Sequence, residues 1–217
     1  MSDPARAAKI EAARKSLTHV HAGMVVGLGS GSTAAEMVRL LGEKVRAGLS
    51  VRGVGSSLST EALARAAGIP LIALADVDSL DVTIDGADEV DPEGRMIKGR
   101  GGALLREKVL AAHSKALVII VDRRKQVAAL GAAPVPVEVT PFAETIVARD
   151  LAKLGGTAVL RETNGAPYVT DGGNHILDTA FGHIADPDAL AARLDGTVGV
   201  VEHGLFVGFS PTIVVGD

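Results

Sequence analysis

Asp85, Asp88, Lys98 and Glu107 fall within one short span, DGADEVDPEGRMIKGRGGALLREK from Asp85 to Lys108, directly after an apolar run that reads as a strand. Carboxylates can exchange protons with a substrate, while a lysine and glycine amides can meet negative charge as it develops. Asp85, Asp88 and Glu107 supply the first kind of group, and Lys98 with the amides of Gly99, Gly101 and Gly102 the second. This mixture suits a pocket that moves protons on an anionic substrate. Taken singly, each residue has a plainer role: an aspartate that fastens a turn, or a helical glutamate paired with a neighbouring cation at the surface. Their concentration in one segment favours the chemical reading.

A second feature is GLGSGSTA, Gly27 to Ala34, placed after the apolar run MVVGLG and before a helical stretch. Gly29 and Gly31 let the backbone approach a ligand, and Ser30, Ser32 and Thr33 present hydroxyls beside a helix start, where free amides and the helix dipole favour a phosphate. A tight turn with Ser32 or Thr33 capping the helix is the structural alternative. A dinucleotide fingerprint fits poorly, because the next strand ends in VGSSLST rather than in an acid for a ribose hydroxyl; no P-loop G-K-[ST] occurs in the chain. Lys125, in DRRKQV after the strand ALVIIVD, is a further candidate for the anion site.

These residues need a scaffold that brings strand ends together. Strands MVVGLG, VRGVGS, PLIAL, DVTID and ALVIIVD alternate with helices AAEMVRLLGEKVRAG, TEALARAAG and REKVLAAHSK, which argues for a parallel sheet covered on both faces. After Lys125 the order becomes strand PVPVEVT, helix AETIVARDLAKLG, strand TAVLRE, a hairpin around YVTDGGNHILD, helix PDALAARLDG and strand VGVVEH, a β-α-β-β-α-β unit. The expected fold is α/β, a Rossmann-like parallel-sheet domain over residues 1–130 and 207–217 with a smaller ferredoxin-like α+β domain over 131–206. The terminal LFVGFSPTIVVGD supplies one or two more strands, with a return to the first sheet expected.

Composition narrows the partners. A chain of 217 residues with 47% hydrophobic content can bury a sizeable core. Its net charge of -4, 2% aromatic content and lack of a basic tract disfavour nucleic-acid binding. No run is apolar for long enough to span a bilayer, and the polar MSDPARAAKIEAARKS does not read as a secretion signal. With zero Cys there is no disulfide, and a cytoplasmic location is expected. The six His lack metal-ligand spacing and no metal site is expected.

GLGSGSTA, IDGADEVD, MIKGRGGALLREK and DRRKQV, in this order and spacing, closely resemble type A ribose-5-phosphate isomerases, and the match runs nearly end to end through PVEVTPFAETIVARDLAKLGG and TDGGNHILD. The resemblance implies interconversion of D-ribose 5-phosphate and D-ribulose 5-phosphate in the non-oxidative pentose phosphate route, without metal or organic cofactor, in a homodimer. It puts the general base on Glu107 and substrate binding on Ser30, Gly31, Ser32, Thr33, Asp85, Gly86, Ala87, Asp88, Lys98, Gly99, Arg100, Gly101 and Lys125, with Lys9 a further phosphate cation. Asp85 is the candidate for ring opening and Asp88 for handling hydroxyl protons, roles that could be exchanged. Arg100 stands where many members have Gly, Arg123 and Arg124 stand where small residues are frequent, and Ser30 replaces a common Thr. A non-catalytic sugar-phosphate sensor, an amino-sugar phosphate deaminase and an acyl-CoA transferase are the competing readings.

Overall fold

The computed structural model describes residues 4–217. In chain order the helices are α1 (Pro4–Ser16), α2 (Gly31–Arg46), α3 (Leu58–Ala67), α4 (Leu104–Ala112), α5 (Glu144–Lys153) and α6 (Pro187–Asp195). The strands are β1 (Val25–Leu28), β2 (Arg52–Gly55), β3 (Val82–Gly86), β4 (Glu89–Val90), β5 (Met96–Ile97), β6 (Leu117–Asp122), β7 (Val135–Val139), β8 (Thr157–Leu160), β9 (Glu162–Thr163), β10 (Ala166–Pro167), β11 (His175–Ala180), β12 (Val200–His203), β13 (Leu205–Phe206) and β14 (Thr212–Gly216). No helix among the described residues is long and apolar enough to cross a membrane.

The chain folds into two compact units. The first takes the described residues up to Ala87, then Arg106–Gln126 and Phe209–Asp217; the second takes Asp88–Leu105 and Val127–Gly208.

The first unit holds a five-stranded sheet in the order β14-β6-β3-β1-β2, parallel throughout. Successive strand residues face opposite sides. Val26 and Leu28 therefore join Met37, Leu41, Ile84, Val118 and Ile120 in one core cluster, while Val25 packs with Val54, Leu80 and Leu110 in another. Burial on both faces explains why β1 and β6, up to Val121, read as apolar runs rather than alternating. Helix α1 packs close: a side chain on Gly216 of β14 would stand 1.8 Å from the carbonyl oxygen of Ala8.

In the second unit the antiparallel order β12-β7-β11-β8, with α5 after β7 and α6 after β11, is the split β-α-β-β-α-β arrangement. Val135, Val137, Val139, Val147, Leu151, Leu177 and Leu194 form its core. A tight β9–β10 hairpin turns on Asn164 and Gly165, both at positive φ (55° and 77°), as a two-residue hairpin turn requires.

Residues 88–105, which strand and helix alternation assigns to the first domain, lie in the second unit. The reason is a small sheet: β4 pairs with β5, and β5 pairs with β13 from far along the chain. The stretch PLIAL is also not a strand of its own. It makes one bridge, Gly53 to Leu71, and a 3₁₀ turn follows over Leu74–Asp76.

Candidate active site

In the first unit Ser30, Asp85 and Gly86 meet at the C-terminal ends of β1 and β3, the edge where open parallel sheets bind ligands. The Ser30 amide donates to Asp85 Oδ1 at 3.0 Å, and the Gly86 amide donates to the same oxygen at 2.7 Å. Asp85 is only 1% exposed, so two amides satisfy an oxygen that burial would otherwise penalise. Gly29 is required here because a Cβ at that position would sit 2.1 Å from Asp85 Oδ1.

Ser30 occupies the N-cap position of α2, yet its side chain makes no capping bond. Its hydroxyl instead lies 2.7 Å from Ser56 Oγ, 3.1 Å from Ser57 Oγ and 3.2 Å from Thr60 Oγ1. Ser57 caps α3 by accepting from the Thr60 amide at 3.0 Å, and Thr60 Oγ1 donates to the Gly29 carbonyl at 3.1 Å. The starts of α2 and α3 are thereby fastened together by hydroxyls. Gly31 takes the positive φ (87°) that starts α2; Gly31 and Ser32 are exposed and Thr33 is half-buried in the first turn. Sequence reasoning missed Ser56, Ser57 and Thr60, whose signal was the run SSLST at the end of the neighbouring strand.

Glu107 sits in α4 and is 5% exposed, so it is not the solvated helix residue of the plain reading. Lys125 is half-buried at the end of the 3₁₀ turn Arg123–Lys125 that follows β6. The two arginines before it are engaged. Arg123 Nε donates to Asp217 Oδ1 at 2.8 Å, and Arg124 Nε donates to Asp122 Oδ1 at 3.0 Å. The Arg124 guanidinium holds the Asp122 carboxyl below the usual carboxylate range. Gly86 and Ala87 are half-buried at the end of β3, and Lys9 is half-buried on α1.

The second unit carries Asp88, Lys98, Gly99, Arg100 and Gly101. Asp88 Oδ2 accepts from the Arg100 amide at 3.1 Å, while the Asp88 amide donates to the Ile97 carbonyl at 2.8 Å. Asp88 thus braces the loop after β5. Lys98 is 3% exposed, its amide bonded to the Gly204 carbonyl at 2.9 Å and its Nζ 5.2 Å from the Phe206 ring centroid. That separation is within the range of a cation–π contact. Gly99 and Gly102 have positive φ (97° and 82°), and Gly102 closes a turn onto the Gly99 carbonyl at 2.9 Å. The Arg100 side chain is exposed, as is Gly101.

Among the described residues, Asp195, Glu202 and His203 of the second unit could hold a metal ion by distance. Both nitrogens of His203 have other work: Nε2 is 3.0 Å from Asp195 Oδ1 and Nδ1 accepts from the Leu205 amide at 3.2 Å.

The family model of ribose 5-phosphate isomerase A (phosphoriboisomerase A) matches residues 52–217. Ribose-5-phosphate isomerase A of Agrobacterium fabrum is 47% identical over 217 residues, covering 97% of this chain and 94% of that protein. The protein of the same name from Rhodopseudomonas palustris is 50% identical over 214 residues, covering 95% and 92%. Among solved structures, a D-ribose-5-phosphate isomerase in complex with phospho-erythronic acid has a TM-score of 0.91 at 39% identity, covering 94% of this chain and 92% of that one. Ribose 5-phosphate isomerase A from Methanocaldococcus jannaschii has a TM-score of 0.91 at 38% identity, covering 95% and 93%. A match of this extent means that the chain belongs to the ribose 5-phosphate isomerase A family and interconverts D-ribose 5-phosphate and D-ribulose 5-phosphate.

Proposed function

We propose that Glu107 is the general base of this isomerisation and that Lys98 with the Gly99–Gly101 backbone stabilises the charge it creates. In the open-chain aldose the proton on C2 is acidified by the C1 carbonyl. Glu107 removes it to give an enediolate and returns it to C1, while the hydroxyl proton passes from O2 to O1. One carboxylate serves both carbon steps. A buried ammonium and a directed amide meet the oxyanion without having to reorganise, the arrangement that lowers such barriers most.

Asp85 is the proposed acid and base for opening the furanose ring, with Asp88 positioning hydroxyls and relaying the oxygen proton. The phosphate is proposed to rest on Ser30, Gly31, Ser32 and Thr33, supported by Lys125, so that binding energy remote from C1 and C2 orients the reacting carbons. A ligand with a phosphate at one end and a carboxylate at the other, such as the phospho-erythronic acid bound by one relative, has the charge pattern this site is proposed to take. A homodimer, a cytoplasmic location, a place in the non-oxidative pentose phosphate route and catalysis without a metal or organic cofactor belong to the same proposal.

The observation that carries the assignment of the base is the burial of Glu107 at 5% exposure in a helix that begins six residues after Lys98. Glu107→Gln keeps size and hydrogen bonding but removes the base. In a metal-free assay with ribose 5-phosphate its kcat should fall by ~10²–10⁴, the usual worth of a positioned base, with KM little changed. Turnover like that of the unmodified enzyme would remove Glu107 from this role.

A further inference from the structure

Three successive carbonyls of the loop after β5 are held by two side chains of the ferredoxin-like unit, all within that unit. Arg161, between β8 and β9, donates through Nη1 to the carbonyl of Gly99 at 3.3 Å and that of Arg100 at 3.1 Å. The Tyr168 hydroxyl donates to the carbonyl of Gly101 at 3.3 Å. Arg161 is itself fixed. Its Nε and Nη2 engage both carboxylate oxygens of Asp178 on β11, at 2.8 and 2.5 Å, and its guanidinium carbon lies 5.7 Å from the Tyr168 ring centroid. Such a side-on pair leaves the guanidinium few orientations. Tyr168 approaches so near that a side chain on Gly102 would meet its hydroxyl at 2.3 Å.

In a trans peptide the carbonyl and the amide hydrogen of one plane point in opposite directions. Turning the carbonyls of residues 99 to 101 towards Arg161 and Tyr168 therefore turns the amides of Arg100, Gly101 and Gly102 away from them. The Arg100 amide goes to Asp88 and the Gly102 amide closes the turn onto Gly99. The Gly101 amide has no acceptor among the described residues, and a side chain at Gly101 would meet open space.

We propose that Arg161 and Tyr168, held by Asp178, are positioning residues of the isomerase: they aim the Gly101 amide and set the loop that follows Lys98 so that both meet the substrate oxygen in one geometry. The proposal rests on the reading that the Lys98 segment stabilises the enediolate. Lysine at position 161 would keep the charge but lose the planar fork that joins one carboxylate to two carbonyls.

The test combines steady-state kinetics with amide hydrogen exchange on Arg161→Ala, Arg161→Lys, Tyr168→Phe and Lys98→Ala. The expected result for both Arg161 variants is a kcat lower by on the order of 10²-fold or somewhat less, the scale of a misplaced catalytic group, with KM for ribose 5-phosphate within a few-fold. Exchange should accelerate at residues 99–102 and stay unchanged in β7 and β11. Tyr168→Phe removes one hydroxyl only, should fold in any event, and should show the same pattern at a smaller size. Faster loop exchange with unchanged kcat overturns the positioning role. So does accelerated exchange throughout the second unit with unchanged turnover per folded molecule, the signature of a stabilising contact alone. Unchanged turnover in Lys98→Ala would instead overturn the underlying reading, while the exchange data would still report whether Arg161 holds the loop.

Discussion

Ser30 and Asp85 are joined by a bond from the Ser30 amide to Asp85 Oδ1 at 3.0 Å, and this single contact ties the loop after β1 to the end of β3. The serine-rich turn and the end of β3 are thus one structural object. Gly29 belongs to it as well, since any side chain there would collide with the Asp85 carboxylate and backbone. Whatever protonic role Asp85 has, one of its oxygens also sets the position of the loop proposed to hold the phosphate.

Lys98→Ala should reduce kcat by ~10² or more, as expected when a preorganised donor to an oxyanion is lost. The side chain is buried against Phe206, so the shortened residue also leaves a cavity, and the variant's thermal stability should be measured beside its kinetics. A folded variant with an undiminished rate would exclude Lys98 from the chemistry.

Thr33→Val should act on affinity. The substitution keeps the shape of a half-buried residue in the first turn of α2 and deletes its hydroxyl. KM for ribose 5-phosphate should rise severalfold, the cost of about one neutral hydrogen bond, while the slow reaction of unphosphorylated ribose stays as it was. Equal losses with both sugars would contradict a phosphate contact at this residue.

Asp81 gives a pH prediction outside the site. Its Oδ1 accepts from Lys115 Nζ at 2.8 Å and its Oδ2 from the Val25 amide at 2.9 Å, and these partners, Lys115 foremost, hold the carboxyl below its ordinary value. A depressed folded value means the carboxylate stabilises the fold above the unfolded pKa, near 3.9, and that this contribution disappears as pH falls through the folded value. Asp81→Asn should therefore cost roughly 0.5–1 kcal/mol at pH 7, given a partly exposed pair. In denaturant titrations across pH 2 to 7, the gap between the two proteins should close below about pH 4. A gap independent of pH would show that the carboxylate charge is not its source.

The two-unit α/β architecture was legible because its signals are local. β1 and β6 are short runs buried on both faces, and β7, β11 and β12 are separated by helices with clear apolar stripes. Helix α1 escaped notice because it buries Ala8, Ala12 and Ala13, whose small side chains leave no strong periodic signal. The sheet of β4, β5 and β13 was illegible for a different reason: each strand has two residues, and β13 lies over a hundred residues beyond its partner β5.

The same logic divides the site. Glu107, Lys98 and the glycines beside it were readable as one dense segment. The hydroxyls of Ser56, Ser57 and Thr60 were not, since serines just before a helix read as caps, which Ser57 also is. Arg161 and Asp178 form a pair only after β8 and β11 align antiparallel, and the contact of Arg161 with Gly99 and Arg100 spans about sixty residues of sequence. No local pattern encodes it.

The edge strand β14 adds a constraint on folding. It pairs with β6 along Thr212–Gly216 and lies so close to α1 that only a glycine fits against Ala8, so two segments far apart in sequence are neighbours in the fold. The parallel sheet therefore stays one strand short until Thr212–Gly216 is in place, and a substitution that displaces β14 would strike the sheet that carries Asp85.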